Sequence, residues 1–364
     1  MWVRTNGTRK AFRTVAFDAE RNEVVLIEQR LLPHEFRTVR TKSYQETAEA
    51  ISNMTVRGAG AIGATAAYGL AQGAREFKGG PPSAFTRHME KVYRTLANAR
   101  PTAVDPVNAM RAILDRMRSS RLVGEQQRIA IEAADAFAEE DVNHCRAIGR
   151  QGAKLVRNGM KILTHCNAGW LAFVDVGSAT APLYEAQRLR RRFHVYCDET
   201  RPRCQGASLT AWELAQQGIS HQVIADNAAG LLFARGQIDM VIVGSDRVLG
   251  RTGEVANKIG TYTKAVLAHR HKVPFYVAIP LSTIDWGLRS GKLIPIEERN
   301  EEEVLSAVGV GLDGRRAQVR IANPGSRAFN PGFDVTPAEL ITGIITPVGI
   351  IPPGELWKRR IQLM

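Results

Sequence analysis

Five short apolar runs in the second half of the chain constrain the fold more than any other feature. Lys161 to Thr164, Phe193 to Tyr196, Gln222 to Ile224, Met240 to Val243 and Pro274 to Ile279 are β-rich, and each ends in a turn or polar cluster. Between them lie amphipathic stretches of helix length, such as Leu209 to Gln217 and Gly260 to His269. Strand–helix alternation predicts a parallel sheet covered on both faces, a Rossmann-like doubly wound domain in an α/β protein. In such sheets ligands sit beyond the C-terminal ends of the strands.

The first half reads differently. Val24 to Ile27 reads as a strand and Glu20-Arg21-Asn22 as a turn, giving a small hairpin. Helical spacing then dominates: Tyr44 to Met54, Ala61 to Phe77, Ser83 to Asn98, Pro106 to Met117 and Glu125 to Gly149 repeat apolar residues at three and four. Asp105-Pro106 reads as a helix start, with Asp as N-cap. The expected division is an N-terminal, mostly helical domain with a small β-sheet over 1–138 and a Rossmann-like catalytic domain over 139–364. A chain of 364 residues has room for both.

Composition narrows the class of function. With 44% hydrophobic and 23% charged residues the chain is globular, not disordered or collagen-like. No apolar run reaches the roughly 18 to 20 residues that cross a bilayer. The basic N-terminus lacks the apolar core of a signal peptide. A cytoplasmic protein without a membrane partner is expected. Cys145, Cys166, Cys197 and Cys204 form no C-x-x-C pair and no disulfide framework. The net charge of +13 would attract anions. It is spread along the chain, with no zinc-finger spacing, RNP-type pattern or basic tail, so no nucleic acid is expected. An anionic small substrate fits. The eight histidines are scattered, without metal-ligand spacing, so no metal is expected.

Four segments carry chemistry. In VRGAGAIG, Gly58, Gly60 and Gly63 match G-x-G-x-x-G, yet a helix-like stretch precedes them where a dinucleotide site needs a strand. They read instead as a small-residue loop opening a helix, with Arg57 beside an anion-favouring N-terminus. The run ILTHCNAG delivers Cys166 to a strand-to-helix turn, where a thiol can become a usable base or nucleophile. In DETRPRCQG, Gln205 and Gly206 open the next helix with N–H donors beside an amide. After Met240 to Val243, Asp246 projects from a strand end. Asn257 and Lys258 follow, read as the opening of another helix; Lys258 suits a phosphate and Asn257 a sugar hydroxyl. With Arg57 and Arg100 from the other domain, the set reads as a sugar-phosphate site with one thiol and one carboxylate.

With VRGAGAIGA, ILTHCNAG, DETRPRCQGASLTAWEL, DNAAG, VGSDRV, GEVANKIGTY, IPIEERN and FNPGFDVTPAELITGIIT, spread over residues 56 to 346, the chain resembles the methylthioribose-1-phosphate isomerases of methionine salvage. These share a superfamily with the regulatory subunits of translation initiation factor 2B. The resemblance implies a homodimer and an aldose–ketose isomerisation that needs no cofactor. It places Cys166 and Asp246 at the catalytic positions. Arg57, Gly58, Ala59, Arg100, Gln205, Asn257 and Lys258 become substrate contacts. An acid at Asp246 would protonate the ring oxygen if burial raised its pKa. Gly60, Ser245, Glu254 and Trp170 depart from the expected pattern, and an indole at Trp170 would reshape the pocket around the sugar's 5-substituent. The alternatives are a 5-deoxyribose-1-phosphate isomerase, more distantly a ribose-1,5-bisphosphate isomerase, or a non-catalytic regulatory subunit of a nucleotide-exchange factor.

Overall fold

The helix Ala59–Glu76 organises the first of two compact units because it is rich in Gly and Ala. The computed structural model describes residues 1–5, 7–100 and 104–364. The first unit comprises Met1–Ala147 and Ala168–Ala181, the second Ile148–Asn167 and Pro182–Met364. The first opens with the hairpin β1 (Trp2–Thr5) and β2 (Thr8–Ala11), followed by a three-stranded sheet of β3 (Val15–Asp18), β4 (Glu23–Ile27) and β5 (Thr38–Thr41). Five helices follow: α1 (Tyr44–Ser52), α2 (Ala59–Glu76), α3 (Pro82–Asn98), α4 (Val104–Met117) and α5 (Val123–Ala153). Each overlaps a predicted segment. Asp105 lies inside the first turn of α4 instead of capping it. The hairpin β1–β2 and strand β5 were not anticipated.

Every residue of α2 from Gly60 to Ala74 is buried, as expected of a helix at the centre of its unit. Glycine is what permits this. A Cβ at Gly73 would stand 2.6 Å from Val92 of α3. The buried amide of Gln72 is satisfied: it donates to the carbonyls of Asn22 and Thr41, both at 2.9 Å, and accepts from Thr47 at 2.7 Å.

The second unit is built on a seven-stranded sheet. Its elements in chain order are β6 (Lys161–Thr164), α6 (Ala181–Arg188), β7 (His194–Asp198), α7 (Ala211–Gln217), β8 (His221–Ile224), α8 (Ala229–Ala234) and β9 (Met240–Val243). Next come β10 (Arg247–Leu249), β11 (Val255–Lys258), α9 (Thr261–Arg270), β12 (Phe275–Ala278), β13 (Ile284–Asp285) and α10 (Glu302–Leu305). The chain ends with β14 (Ser306–Val310), β15 (Arg316–Arg320), β16 (Phe333–Thr336), β17 (Gly343–Thr346), β18 (Gly349–Ile351) and α11 (Arg360–Leu363). The main sheet runs β18-β17-β12-β9-β6-β7-β8 and is parallel except for the edge hairpin β17–β18. All five predicted strands are in it. A second sheet, ordered β13-β10-β11-β16, is made of strands too short to show a period in sequence.

The strand order reverses at β6. The chain builds outward through β7 to the edge at β8, then returns to the other side of β6 with β9. A doubly wound sheet opens a crevice at such a switch point, outside the C-terminal ends of the two strands involved. Here those ends are Thr164 and Val243.

Within the first unit one buried acid titrates abnormally. The Asp141 carboxylate accepts the Val174 N–H at 2.8 Å, and its other oxygen lies where a side chain on Gly60 would begin, 2.6 Å from that Cβ. Burial, with lesser help from the charges of Asp105 and Asp175, pushes its pKa up to about 7. An acid whose folded value is raised stabilises most below its unfolded pKa of about 3.9 and loses that contribution as pH climbs through the folded value. The variant Asp141→Asn removes the titration and can still accept from Val174. Its melting temperature relative to the parent should rise between about pH 4 and pH 7 and level off above. Calorimetry showing a flat or falling difference over that range contradicts the assignment.

Candidate active site

Cys166 sits two residues beyond the end of β6, in a backbone conformation that a side-chain-bearing residue rarely adopts. Its φ is +65°, and Thr200 (+64°) and Cys204 (+52°) share that left-handed region in the loop after β7. Each such residue costs about 1–3 kcal/mol, and they persist where surrounding bonds over-determine them. Those bonds are present. Thr200 Oγ1 accepts the Cys166 N–H at 2.8 Å and donates to the Asp198 carbonyl at 3.1 Å. Thr210 Oγ1 donates to the Cys166 carbonyl at 2.7 Å. The thiol itself donates to Gln205 Oε1 at 3.2 Å, and both side chains are buried, Cys166 at 8% exposure. Two residues singled out from separate sequence segments are therefore in direct contact.

The next residue is equally fixed. Asn167 donates through Nδ2 to Glu213 at 2.9 Å and Thr210 at 3.1 Å, and the Tyr184 hydroxyl donates to the other Glu213 oxygen at 2.7 Å. Gln205 does not open an α-helix, as the sequence suggested. Residues Gly206–Thr210 form a π-helical turn before α7, a form that is frequent at functional sites. The N–H groups expected to await an anion are taken: Ala207 donates to the Glu199 carbonyl and Ser208 to that of Cys204. Nor do the loop arginines face a ligand. Arg201 donates to the Val304 carbonyl and Arg203 pairs with Glu303 at 2.8 Å. Burial alone would raise Glu303, but hydrogen bonds from Arg299 and Arg203 outweigh it and hold the acid at about 2.

Asp246 leaves the end of β9, the neighbour of β6, at the same edge of the sheet. Its N–H donates to the Ala256 carbonyl at 3.0 Å. Its side chain is exposed, so the burial that would keep it protonated is not met in the chain alone. Ser245 stitches this turn, donating to the Arg247 and Ala256 carbonyls at 2.8 and 2.9 Å. Asn257 and Lys258 are strand residues of β11, not the helix opening anticipated; α9 starts at Thr261 after Gly260, whose φ is +102°. Asn257 Nδ2 donates to Thr261 at 3.0 Å, and the half-buried Lys258 ammonium lies 5.1 Å from the Phe333 ring centroid.

The remaining predicted contacts belong to the first unit. Arg57 is buried just ahead of α2, Gly58 precedes its first residue with φ +93°, Ala59 is that first residue, and Arg100 follows α3. A Cβ on Gly58 would stand 2.4 Å from Ala172 Cα. Trp170 is fully buried there, its carbonyl accepting from Thr14 at 2.7 Å, so it fills a core. His165, Asp198 and Asp226 bring ligand-type atoms within 4.8 Å of one another. Asp198 Oδ2 is engaged by Lys264 at 3.1 Å, and Asp226 accepts the N–H groups of Thr200 and Arg201, both at 2.7 Å.

Sequence reasoning missed Thr200, Thr210 and Lys264. Thr200 and Thr210 lie within the segment DETRPRCQGASLTAWEL without a feature that singles them out, and nothing in the α9 sequence marks Lys264. The packing supplies a direct check. A Cβ at Gly206 would stand 1.7 Å from the Asp198 carbonyl oxygen. Gly206→Ala must displace the turn that carries Gln205, lowering stability by about 1–3 kcal/mol and activity with it. An unchanged urea midpoint would show that this contact is wrong.

Residues 55–353 match the Initiation factor 2 subunit family. The methylthioribose-1-phosphate isomerase of Rhodospirillum centenum is 50% identical over 94% of this chain and 92% of its own length. That of Thermosipho africanus is 47% identical, covering 94% and 96%. Among solved structures, 5-methylthioribose 1-phosphate isomerase from Pyrococcus horikoshii OT3 superposes with a TM-score of 0.86 at 42% identity, over 98% of this chain and 97% of that one. Translation initiation factor eIF-2B subunit delta from A. fulgidus gives 0.82 at 37% identity, over 97% and 100%.

Proposed function

The chain belongs to the initiation factor 2 subunit family, and we infer that it is an aldose–ketose isomerase of methionine salvage. It converts S-methyl-5-thio-α-D-ribose 1-phosphate to S-methyl-5-thio-D-ribulose 1-phosphate. What carries this reading is likeness to isomerases along nearly the whole chain, together with a thiol and a carboxylate that follow the ends of neighbouring strands. A relative that served only assembly would not need that pair, which favours the enzyme over a regulatory subunit.

The chemistry follows from the substrate. An anomeric phosphate cannot open its ring as a free sugar does, so the ring oxygen must receive a proton as its bond to C1 breaks. Asp246 in its acid form gives that proton. As C2 becomes a carbonyl, its hydroxyl proton goes to the Asp246 carboxylate, which restores the acid. The hydrogen on C2 must reach C1. Cys166 as thiolate takes it as a proton and returns it to C1; if it moves directly as hydride, Asp246 makes the same two transfers. Closure of substrate over Asp246 would supply the dry surroundings that the exposed side chain lacks in the chain alone. Gln205, in contact with the thiol, orients it, while Asn257 and Lys258 take a hydroxyl and the phosphate. The assignment of Arg57, Gly58, Ala59 and Arg100 to substrate rests on the family resemblance. That resemblance also supports a homodimer and a cytoplasmic location; no described helix is long and apolar enough to cross a membrane.

Asp246→Asn should lose about 10²- to 10⁴-fold in kcat, the range for general acid–base help. Because the side chain is exposed, its stability should stay within about 0.5 kcal/mol of the parent. Cys166→Ser should be comparably impaired. Full turnover by Asp246→Asn would defeat the assignment. A second comparison addresses the sugar's 5-substituent: kcat/KM for methylthioribose 1-phosphate should exceed that for 5-deoxyribose and ribose 1-phosphates. Preference for the deoxy sugar would reassign the substrate, and no turnover of any would favour the regulatory reading.

A further inference from the structure

Directly behind Cys166 lies a buried polar triad with no part in the proton transfers above. His165, Asp198 and Lys264 are 2%, 0% and 3% exposed. Asp198 Oδ2 receives the Lys264 ammonium at 3.1 Å and faces His165 Nδ1 at 2.8 Å. On its other side the ring faces the Ile259 carbonyl, with Nε2 at 2.9 Å. A carbonyl only accepts, so Nε2 carries hydrogen. A carboxylate oxygen already holding an ammonium is an acceptor as well. A ring with hydrogen on both nitrogens satisfies both contacts.

Buried charges are costly even when paired, and apolar replacements of similar volume are often as stable. Stability alone is therefore a weak reason for this triad. Its connections suggest a better one. His165 is the chain neighbour of Cys166, and its Nε2 contact is the residue after Lys258. The ring also packs on the backbone there: a Cβ on Gly260 would stand 3.0 Å from His165 Cε1. From β16, Asp334 holds the same segment, accepting the N–H groups of Gly260 at 2.7 Å and Tyr262 at 3.0 Å. Burial raises the Asp334 carboxyl, while those two N–H groups and the nearby His165 and Lys264 pull the other way. The charged groups around the ring are thus Asp198, Lys264, Asp334 and, within 4.8 Å through its carboxylate, Asp226.

We propose that His165 is a positioning residue for the isomerisation: clamped by Asp198 and Lys264, it fixes the Cys166 turn against the Asn257–Lys258 segment, holding the proton-transfer group in register with the bound sugar phosphate. This rests on the isomerase reading. Misplacement of a reacting group by about 1 Å can cost 10²-fold in rate, so a pin of this kind acts on kcat more than on binding.

The test compares wild type, His165→Asn, and the double variant Asp198→Asn with Lys264→Met, which removes both charges of the ion pair together. Steady-state kinetics on methylthioribose 1-phosphate are normalised to the folded fraction from circular dichroism. Both variants should lose about 10- to 100-fold in kcat per folded molecule, as supporting-shell changes do, with KM within about threefold. A purely structural residue would lower the folded fraction and leave kcat per folded molecule unchanged, and that result overturns the proposal. A second measurement needs no variant. Nitrogen-15 spectra of the wild type labelled at histidine should show hydrogen on both ring nitrogens of His165; a bare nitrogen would mean one contact is not a hydrogen bond and would equally overturn it. An inactive wild type sinks the isomerase reading and this proposal together, whereas an active wild type with unaffected variants sinks the proposal alone.

Discussion

Parallel pairing of β6 with β9 on one side and β7 on the other is the constraint from which the rest of the second unit follows. Ile162 pairs with Met240 and with Val195, so three chain segments far apart in sequence end together at one edge. The turns that leave this edge carry Cys166, the loop to Gln205, and Asp246. Because backbone hydrogen bonds of neighbouring strands lock register, a one-residue slip of any strand would turn its side chains to the other face. The polar network then sets details the sheet cannot: Thr200 and Thr210 hold Cys166 in a left-handed turn, and Gly206 fits against the Asp198 carbonyl because nothing larger could.

Much of this was legible in the residues. Runs such as Met240 to Val243 are apolar throughout, which is what a strand buried on both faces requires. The helices of the first unit announced themselves by spacing. The short strands were hidden for physical reasons. Arg247–Leu249 and Ile284–Asp285 have only three and two residues, too few to display alternation, and exist through their partners. Asn257 and Lys258 looked like a helix opening because Gly260 and an amphipathic stretch follow; the pairing of Asn257 with Asp334 instead draws them into a strand. The π-helical turn at Gly206–Thr210 had no sequence signal, since its cause is the threonine and carbonyl contacts around it. The exposure of Asp246 was likewise invisible: strand-end position says where a residue emerges, not how deeply it is covered.

The four residues expected to depart from the family pattern each have a structural role. At Gly60 the space a side chain would need is filled by Phe173 and the Asp141 carboxylate. Ser245 supplies hydrogen bonds that close the turn behind Asp246. Glu254 accepts from Thr252 and from the Gly291 N–H, both at 2.7 Å, tying two loops of the second unit. Trp170 serves as core.

The proposed isomerisation requires one sugar phosphate to lie between the group at position 166 and the carboxyl of Asp246. A crystal structure of Cys166→Ser soaked with methylthioribose 1-phosphate tests it most directly. C1 and C2 of the sugar should lie beside the serine hydroxyl, the ring oxygen within hydrogen-bond reach of Asp246, and the phosphate on Lys258. A sugar bound away from both side chains, or with Asp246 turned to solvent while the site is full, would contradict it.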